Sequence, residues 1–275
     1  MPGRVSPVGL FLRTVIARAY PRLIGQHREL SWVVFEIFLP LVATCAYVFV
    51  YKAIGAPEEF VGFVIVGGAM TAFWLNVLWS MSSQLYWEKE TGNLSLYVMA
   101  PNSLMAVLLG MALGGMLATC LRALVIVGLG SWWFGVTYVV RDTAALAAVF
   151  GLTMAALYGL GMLFASLFLL FGREAWHMSN LLQEPIYLAA GFYFPVRSLN
   201  FWVAAGASII PLTLGLDAMR QLLFPSAAAL GFLPVRVEIA VLIGLCAVFL
   251  AAAKVALDFM ERKAIREGRI TDTRK

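Results

Sequence analysis

The residues that could do chemistry are few and scattered. Glu36, Arg122 and Glu184 fall inside apolar blocks on three different segments. A membrane-embedded enzyme gathers ionisable groups at one depth, and these three form no such cluster. A charge deep in a span costs roughly 2.5–3.5 kcal/mol, so Arg122 needs a carboxylate, a carbonyl or water beside it. Glu36 lies only four residues beyond Trp32. Two readings of it stay open: a carboxylate near the membrane interface, or one facing protein or a water-filled cavity. Cys45, Cys120 and Cys246 are far apart in apolar blocks and read as small buried side chains. His27 and His177 head no ligand motif. There is no Gly-x-x-x-x-Gly-Lys-Ser/Thr phosphate loop, no His-Glu-x-x-His and no Gly-x-Ser-x-Gly. No catalytic residue, metal site or cofactor is therefore expected, nor ATP binding through a phosphate loop.

The densest polar stretch is residues 86–103, Tyr86-Trp-Glu-Lys-Glu-Thr-Gly-Asn-Leu-Ser-Leu-Tyr-Val-Met-Ala-Pro-Asn-Ser103. It follows 25 uncharged residues, 61–85, and after it Arg122 is the only charge before Arg141. A charge cluster between two membrane-length apolar runs has to reach water. Leu94, Tyr97 and Val98 share one helical face, led by Glu88, Lys89 and Glu90. Gly92 and Asn93 offer a turn just before them. An amphipathic helix presented to water is a helix-in-groove ligand for a partner; a solvated loop on the headgroups is the alternative.

These residues are positioned by a very apolar chain. It is 62% hydrophobic and 13% charged, where a soluble domain carries about 25% charge, and its mean hydropathy is +0.87. An all-α membrane protein is expected, with six transmembrane helices at 32–52, 61–85, 104–130, 144–171, 177–194 and 235–257. The first strongly apolar stretch begins near Trp32, too late for a cleavable signal. Residues 5–25 form an amphipathic helix. Val8, Leu12, Val15, Ile16, Tyr20 and Leu23 lie on one side; Arg4, Arg18 and Arg22 lie on the other, toward anionic headgroups, and Pro21 bends or breaks it. Trp74 and Trp79 in the second span either line a cavity for a lipophilic ligand or pack against a neighbouring helix. Gly110-x-x-x-Gly114 is a weak close-packing signal.

The block 195–225 is apolar but interrupted by Pro195, Pro211 and Pro225. It reads as a helical hairpin, 198–209 and 211–224, that dips part-way into the membrane. Broken helices at that depth survive only where protein or a cavity covers the freed backbone groups. Asp217 and Arg220, at i and i+3, are spaced to pair. Six spans put both termini on one side, which collects thirteen Lys and Arg against five on the other. By the positive-inside rule both termini and the 86–103 stretch are cytoplasmic, and 195–225 is external. The tail, 258–275, is aqueous. The cations are dispersed, so nucleic acid is not implied.

Two motifs carry a resemblance. Tyr86-Trp-Glu-Lys-Glu-Thr-Gly-Asn-Leu94 with Met99-Ala-Pro101 resembles the cytoplasmic loop of type-2 ATP-binding-cassette (ABC) transporter permeases. Gly191-Phe-Tyr-Phe-Pro-Val-Arg-Ser-Leu199, then Ile210-Pro-Leu-Thr213 and Asp217-Ala-Met-Arg220, resembles the C-terminal signature of the same family. The order and separation fit, and Asn200 stands where the pattern has Pro. The resemblance implies a single transmembrane domain, 1–275, that does not hydrolyse ATP itself. It implies a second permease copy, as a homodimer, and two separate ATPase subunits. Residues 5–25 become the elbow helix, 86–103 the coupling loop and 195–225 the external re-entrant element. Glu88, Lys89, Glu90, Leu94, Tyr97 and Val98 become the ATPase contact. Position and the family pattern put Trp74, Asn76, Trp79, Tyr187 and Phe192 on the substrate path, with Glu36 and Arg122 as intramembrane charges. The implied activity is export of a small lipophilic or amphipathic compound, or of a polysaccharide or lipid-linked glycan, across the plasma membrane. A six-span scaffold or membrane enzyme without an ATPase is the reading from another class.

Overall fold

The computed structural model describes residues 6–28, 30–100, 103–171, 174–224 and 229–266. Arg4, Val5, Pro101, Asn102, Pro225 and the tail beyond 266 lie outside the described residues. Every element among the described residues is helical. In chain order these are α1 (Pro7–Arg28), α2 (Leu30–Ala53), α3 (Glu59–Leu75), α4 (Gln84–Glu90), α5 (Asn93–Met99), α6 (Leu104–Phe134), α7 (Thr143–Phe171), α8 (Glu174–Ala189), α9 (Phe201–Ala207), α10 (Pro211–Leu223) and α11 (Val235–Arg266).

Five stretches are long and apolar enough to cross a membrane: Val33–Ala53, Glu59–Glu90, Leu104–Phe134, Thr143–Leu169 and Val235–Lys263. At the centre stands α3, with residues 61–74 all buried. Apolarity all round suits lipid and protein alike; the glycines of α3 let neighbours close in, since a Cβ at Gly67 would meet the Phe192 carbonyl oxygen and one at Gly68 the Thr44 hydroxyl. On either side of it lie α2 and α6, while α7 packs against α10 and α11. α3 does not stop at its end. A π-helical stretch, Asn76–Met81, carries it on, and the Ser82 amide bonds back to the Val77 carbonyl at 3.0 Å. The helix then resumes as α4, so the second span and the polar stretch below it are nearly one rod.

The segment expected as a fifth span is different. α8 has 16 residues, about 24 Å at the ordinary helical rise, short of the ~30 Å hydrocarbon core. It holds Asn180, Gln183 and Glu184. It is not among the five stretches named above. α7 ends beside α4, whereas the Phe192 carbonyl accepts from Arg220, which also bonds the Phe63 carbonyl near the start of α3. α9 and α10 then meet at 107°. Asn200 caps α9, its side chain accepting from the Trp202 amide at 3.1 Å. Asparagine is a good cap there, which suits the position where the family pattern has Pro.

The expected Asp217–Arg220 pair does not form. Arg220 turns instead to four carbonyls, and Asp217 accepts from the Phe232 amide at 2.8 Å and from Gln221 at 2.9 Å. Three residues of spacing allow a pair, but α10 is buried on nearly all sides. Arg220 meets the carbonyls of the turn after α8, and Asp217 the Phe232 amide, before either meets the other.

The N-terminal helix departs from expectation twice. α1 runs unbroken through Pro21 to Arg28. Arg18 and Arg22 turn inward to Glu88 and Ser80 rather than toward headgroups. Val8, Leu12, Ile16 and Tyr20 remain exposed and Val15 is buried. The reason is close packing on α6. A Cβ at Gly110 would lie 2.5 Å from the Val15 carbonyl oxygen, and one at Gly114 2.5 Å from the Ala19 carbonyl oxygen. The glycine pair is thus the seat of α1. Gly114→Leu is expected to push α1 off α6 and cost roughly 1–3 kcal/mol. A lowered thermal midpoint, with new protease cleavage in α1, would show it; unchanged protection would contradict it.

Candidate functional site

Two regions gather the polar side chains. The first is the α4–α5 turn. It closes at Gly92, whose φ of +78° suits a residue without Cβ. Glu88 is its hub. One carboxylate oxygen accepts from Arg18 of α1 at 2.9 Å and from Gln84 at 3.1 Å, and the other accepts from the Tyr97 hydroxyl at 3.0 Å. The Arg18 guanidinium also lies 4.6 Å from the centre of the Tyr97 ring. Burial, with the Glu88 charge beside it, pushes the Tyr97 hydroxyl up to about 12. A phenol whose folded value is raised keeps its bond while protonated. The Glu88 contact is therefore constant through neutral pH and is lost only as pH rises through about 12. Tyr97→Phe is expected to cost about 1 kcal/mol, read as a lower thermal midpoint at pH 7 with no change in its slope between pH 6 and 9.

The six residues expected to contact an ATPase divide here. Glu88 and Leu94 are buried, at 8% and 3% exposure. Tyr97 leans on Glu88, Lys89 and Val98 are half-buried, and Glu90 is exposed. The apolar side chains that face outward are Trp87, Leu96 and Met99. The spacing showed an amphipathic helix but not which face the bundle would take. The nearby charge of Arg18, on a helix 70 positions earlier, decided that.

The second region is a cavity of about 810 Å³ between α1, α2, the α3–π stretch and α6. Glu36 and Arg122 are ion-paired in its wall, which answers the open question about both. Asn76 and Trp79 line it as well. Both sit on the π-helical stretch, a departure from α-geometry that often marks a functional segment. Asn76 accepts from Tyr158 at 3.0 Å, and the Trp79 indole donates to Gln183 at 2.7 Å. The other three residues expected on a substrate path are elsewhere. Trp74 and Phe192 are wholly buried, and Tyr187 is packed on Phe192 with ring centres 5.4 Å apart. Arg22 and Ser80, joined by a hydrogen bond in the cavity wall, were not foreseen. A cation on a surface-type helix gives no sign of turning inward unless its seat on α6 is known.

Among the described residues no three His, Cys, Asp or Glu side chains gather where they could hold a metal ion. The arrangement can hold an amphipathic molecule beside the second span and offer an apolar surface to a protein at the turn below. A search of curated proteins finds no match. The family model of the ABC-2 type transporter matches residues 13–224. That stretch contains most of α1, both polar regions and the whole of α10, so this chain belongs to the ABC-2 type transporter family and is a membrane permease component of an ABC transporter.

Proposed function

We propose that the chain is the membrane subunit of an ATP-driven exporter that moves a small lipophilic or amphipathic compound outward across the plasma membrane by alternating access. Two copies pair, each with a separate ATPase beneath it, and both termini lie in the cytoplasm. α1 acts as the elbow, α4 and α5 as the coupling element, and α9 with α10 as the external re-entrant element.

The observation that carries this reading is mechanical. The α4–α5 turn is continuous with the central span and is tied to α1 through Glu88, Arg18 and Tyr97. A push on Trp87, Leu96 and Met99 therefore reaches α3, α1 and, through α1, α6 together. Nucleotide binding elsewhere needs only to favour one arrangement of these helices over another. Inside-out vesicles holding the chain and its nucleotide-binding partner should accumulate a lipophilic dye when ATP is added. Dye movement indifferent to ATP, or driven the other way, would overturn the proposal.

A further inference from the structure

We infer that the cavity between α1, α2, α3 and α6 binds a single-chain amphipathic anion, its phosphate or carboxylate head at Arg22 and its apolar body along Phe35, Leu39 and Trp79. Binding stands on the cavity alone; that the bound molecule is cargo rests on the export reading above.

Charge gives the sign of the head. Among the described residues the wall holds two guanidinium groups, Arg22 and Arg122, and one carboxylate, Glu36. Glu36 is already paired with Arg122, which leaves the wall one positive charge in excess. Arg22 reaches across to the Ser80 hydroxyl, so the cation is held inside the cavity and not in bulk water. Asn76 adds a donor. It is 5% exposed, its Oδ1 is taken by Tyr158, and its Nδ2 has no acceptor in the protein. A buried amide N–H left without a partner costs about 1–3 kcal/mol. An oxyanion, rich in acceptors, relieves it; a cationic head cannot.

The rest of the wall gives the body. Phe35, Leu39, Pro40, Ala72, Leu75 and Trp79 make one side apolar. Phe35 and Leu39 are also exposed on the outer face of α2, so the mouth opens sideways beside α1, where a chain can lead out into lipid. A volume of about 810 Å³ lies in the ~300–1,000 Å³ range that encloses a drug-sized ligand. That suits one chain and one head.

The test uses the full-length chain in nanodiscs of zwitterionic lipid and three probes: labelled dodecyl phosphate, dodecyltrimethylammonium and inorganic phosphate. Dodecyl phosphate should bind saturably, with neither of the other two competing at equal concentration. Arg22→Gln should weaken binding about tenfold or more, since it removes a charge-assisted contact. Arg22→Lys should restore most of it, and Asn76→Leu should weaken it severalfold. Leu39→Trp narrows the mouth from the outer face of α2 and should also weaken binding, which keeps the test open if Arg22→Gln fails to fold. Equal competition by the cationic amphipath, or unchanged binding in Arg22→Gln and Leu39→Trp, overturns the proposal. Equal competition by inorganic phosphate makes it a site for free anions and overturns the amphipath. Binding without ATP-driven export sinks the export reading and leaves this site standing. Export without dodecyl phosphate binding sinks this site alone.

Discussion

Arg220→Leu is expected to leave little folded protein in the membrane. Arg220 is 2% exposed. One guanidinium nitrogen donates to the Gly191 and Phe194 carbonyls at 2.7 and 3.1 Å, the other to the Phe63 and Phe192 carbonyls at 2.9 and 2.6 Å. These carbonyls belong to the start of α3 and to the turn after α8. One side chain thus joins the second span, the end of α8 and α10. Removing it orphans buried acceptors at about 1–3 kcal/mol each. Even with partial relaxation the loss is roughly 3–5 kcal/mol, a large share of the ~5–15 kcal/mol that holds a domain together. Arg220→Lys should recover only part of this, because an ammonium cannot fork to both pairs. Size-exclusion profiles and thermal midpoints in detergent would show the order wild type, Lys, Leu. A Leu variant as stable as wild type would refute the role.

The second large effect concerns the outward face of the α4–α5 turn. Leu96→Asp with Met99→Asp is expected to weaken ATPase association about 100-fold or more while the permease stays folded. Burying one large apolar side chain contributes about 1.5–3 kcal/mol, and two such losses, with new charges at the contact, suffice for that factor. The fold should survive because these side chains are 59% and 75% exposed. Leu94→Asp separates the two effects. At 3% exposure it belongs to the core, so its substitution should lower stability as well as association. Co-purification at matched expression, with thermal midpoints alongside, distinguishes the cases. Tight association of the double variant would place the contact elsewhere.

Five of the six expected spans were legible because lipid imposes length and apolarity on any helix that crosses it, and residues 32–52 or 235–257 can hardly read otherwise; 177–194, with its polar side chains, did not give a helix of that length. The polar stretch was legible for the complementary reason: its charges have to reach water. Side-chain direction was not. Glu88 has the composition of an exposed residue, and only the approach of α1 buries it. That approach depends on Gly110 and Gly114, whose spacing is common in membrane helices and names no partner. Arg220 shows the same limit. The local i, i+3 rule offered Asp217, but four distant carbonyls had the stronger claim. Asn76 and Trp79 were expected from position to share a wall and do line one cavity, while Arg22 and Ser80 lie 58 positions apart and meet only in the folded bundle.

The claim on which the account turns is that energy from ATP enters this chain through the α4–α5 turn. A photo-crosslinking amino acid placed at Leu96, and in a parallel chain at Trp202 beyond α8, tests it in intact membranes. The account predicts an adduct from position 96 with a polypeptide that carries a nucleotide-binding phosphate loop, and none from position 202. Such an adduct from position 202, with none from position 96, would contradict it.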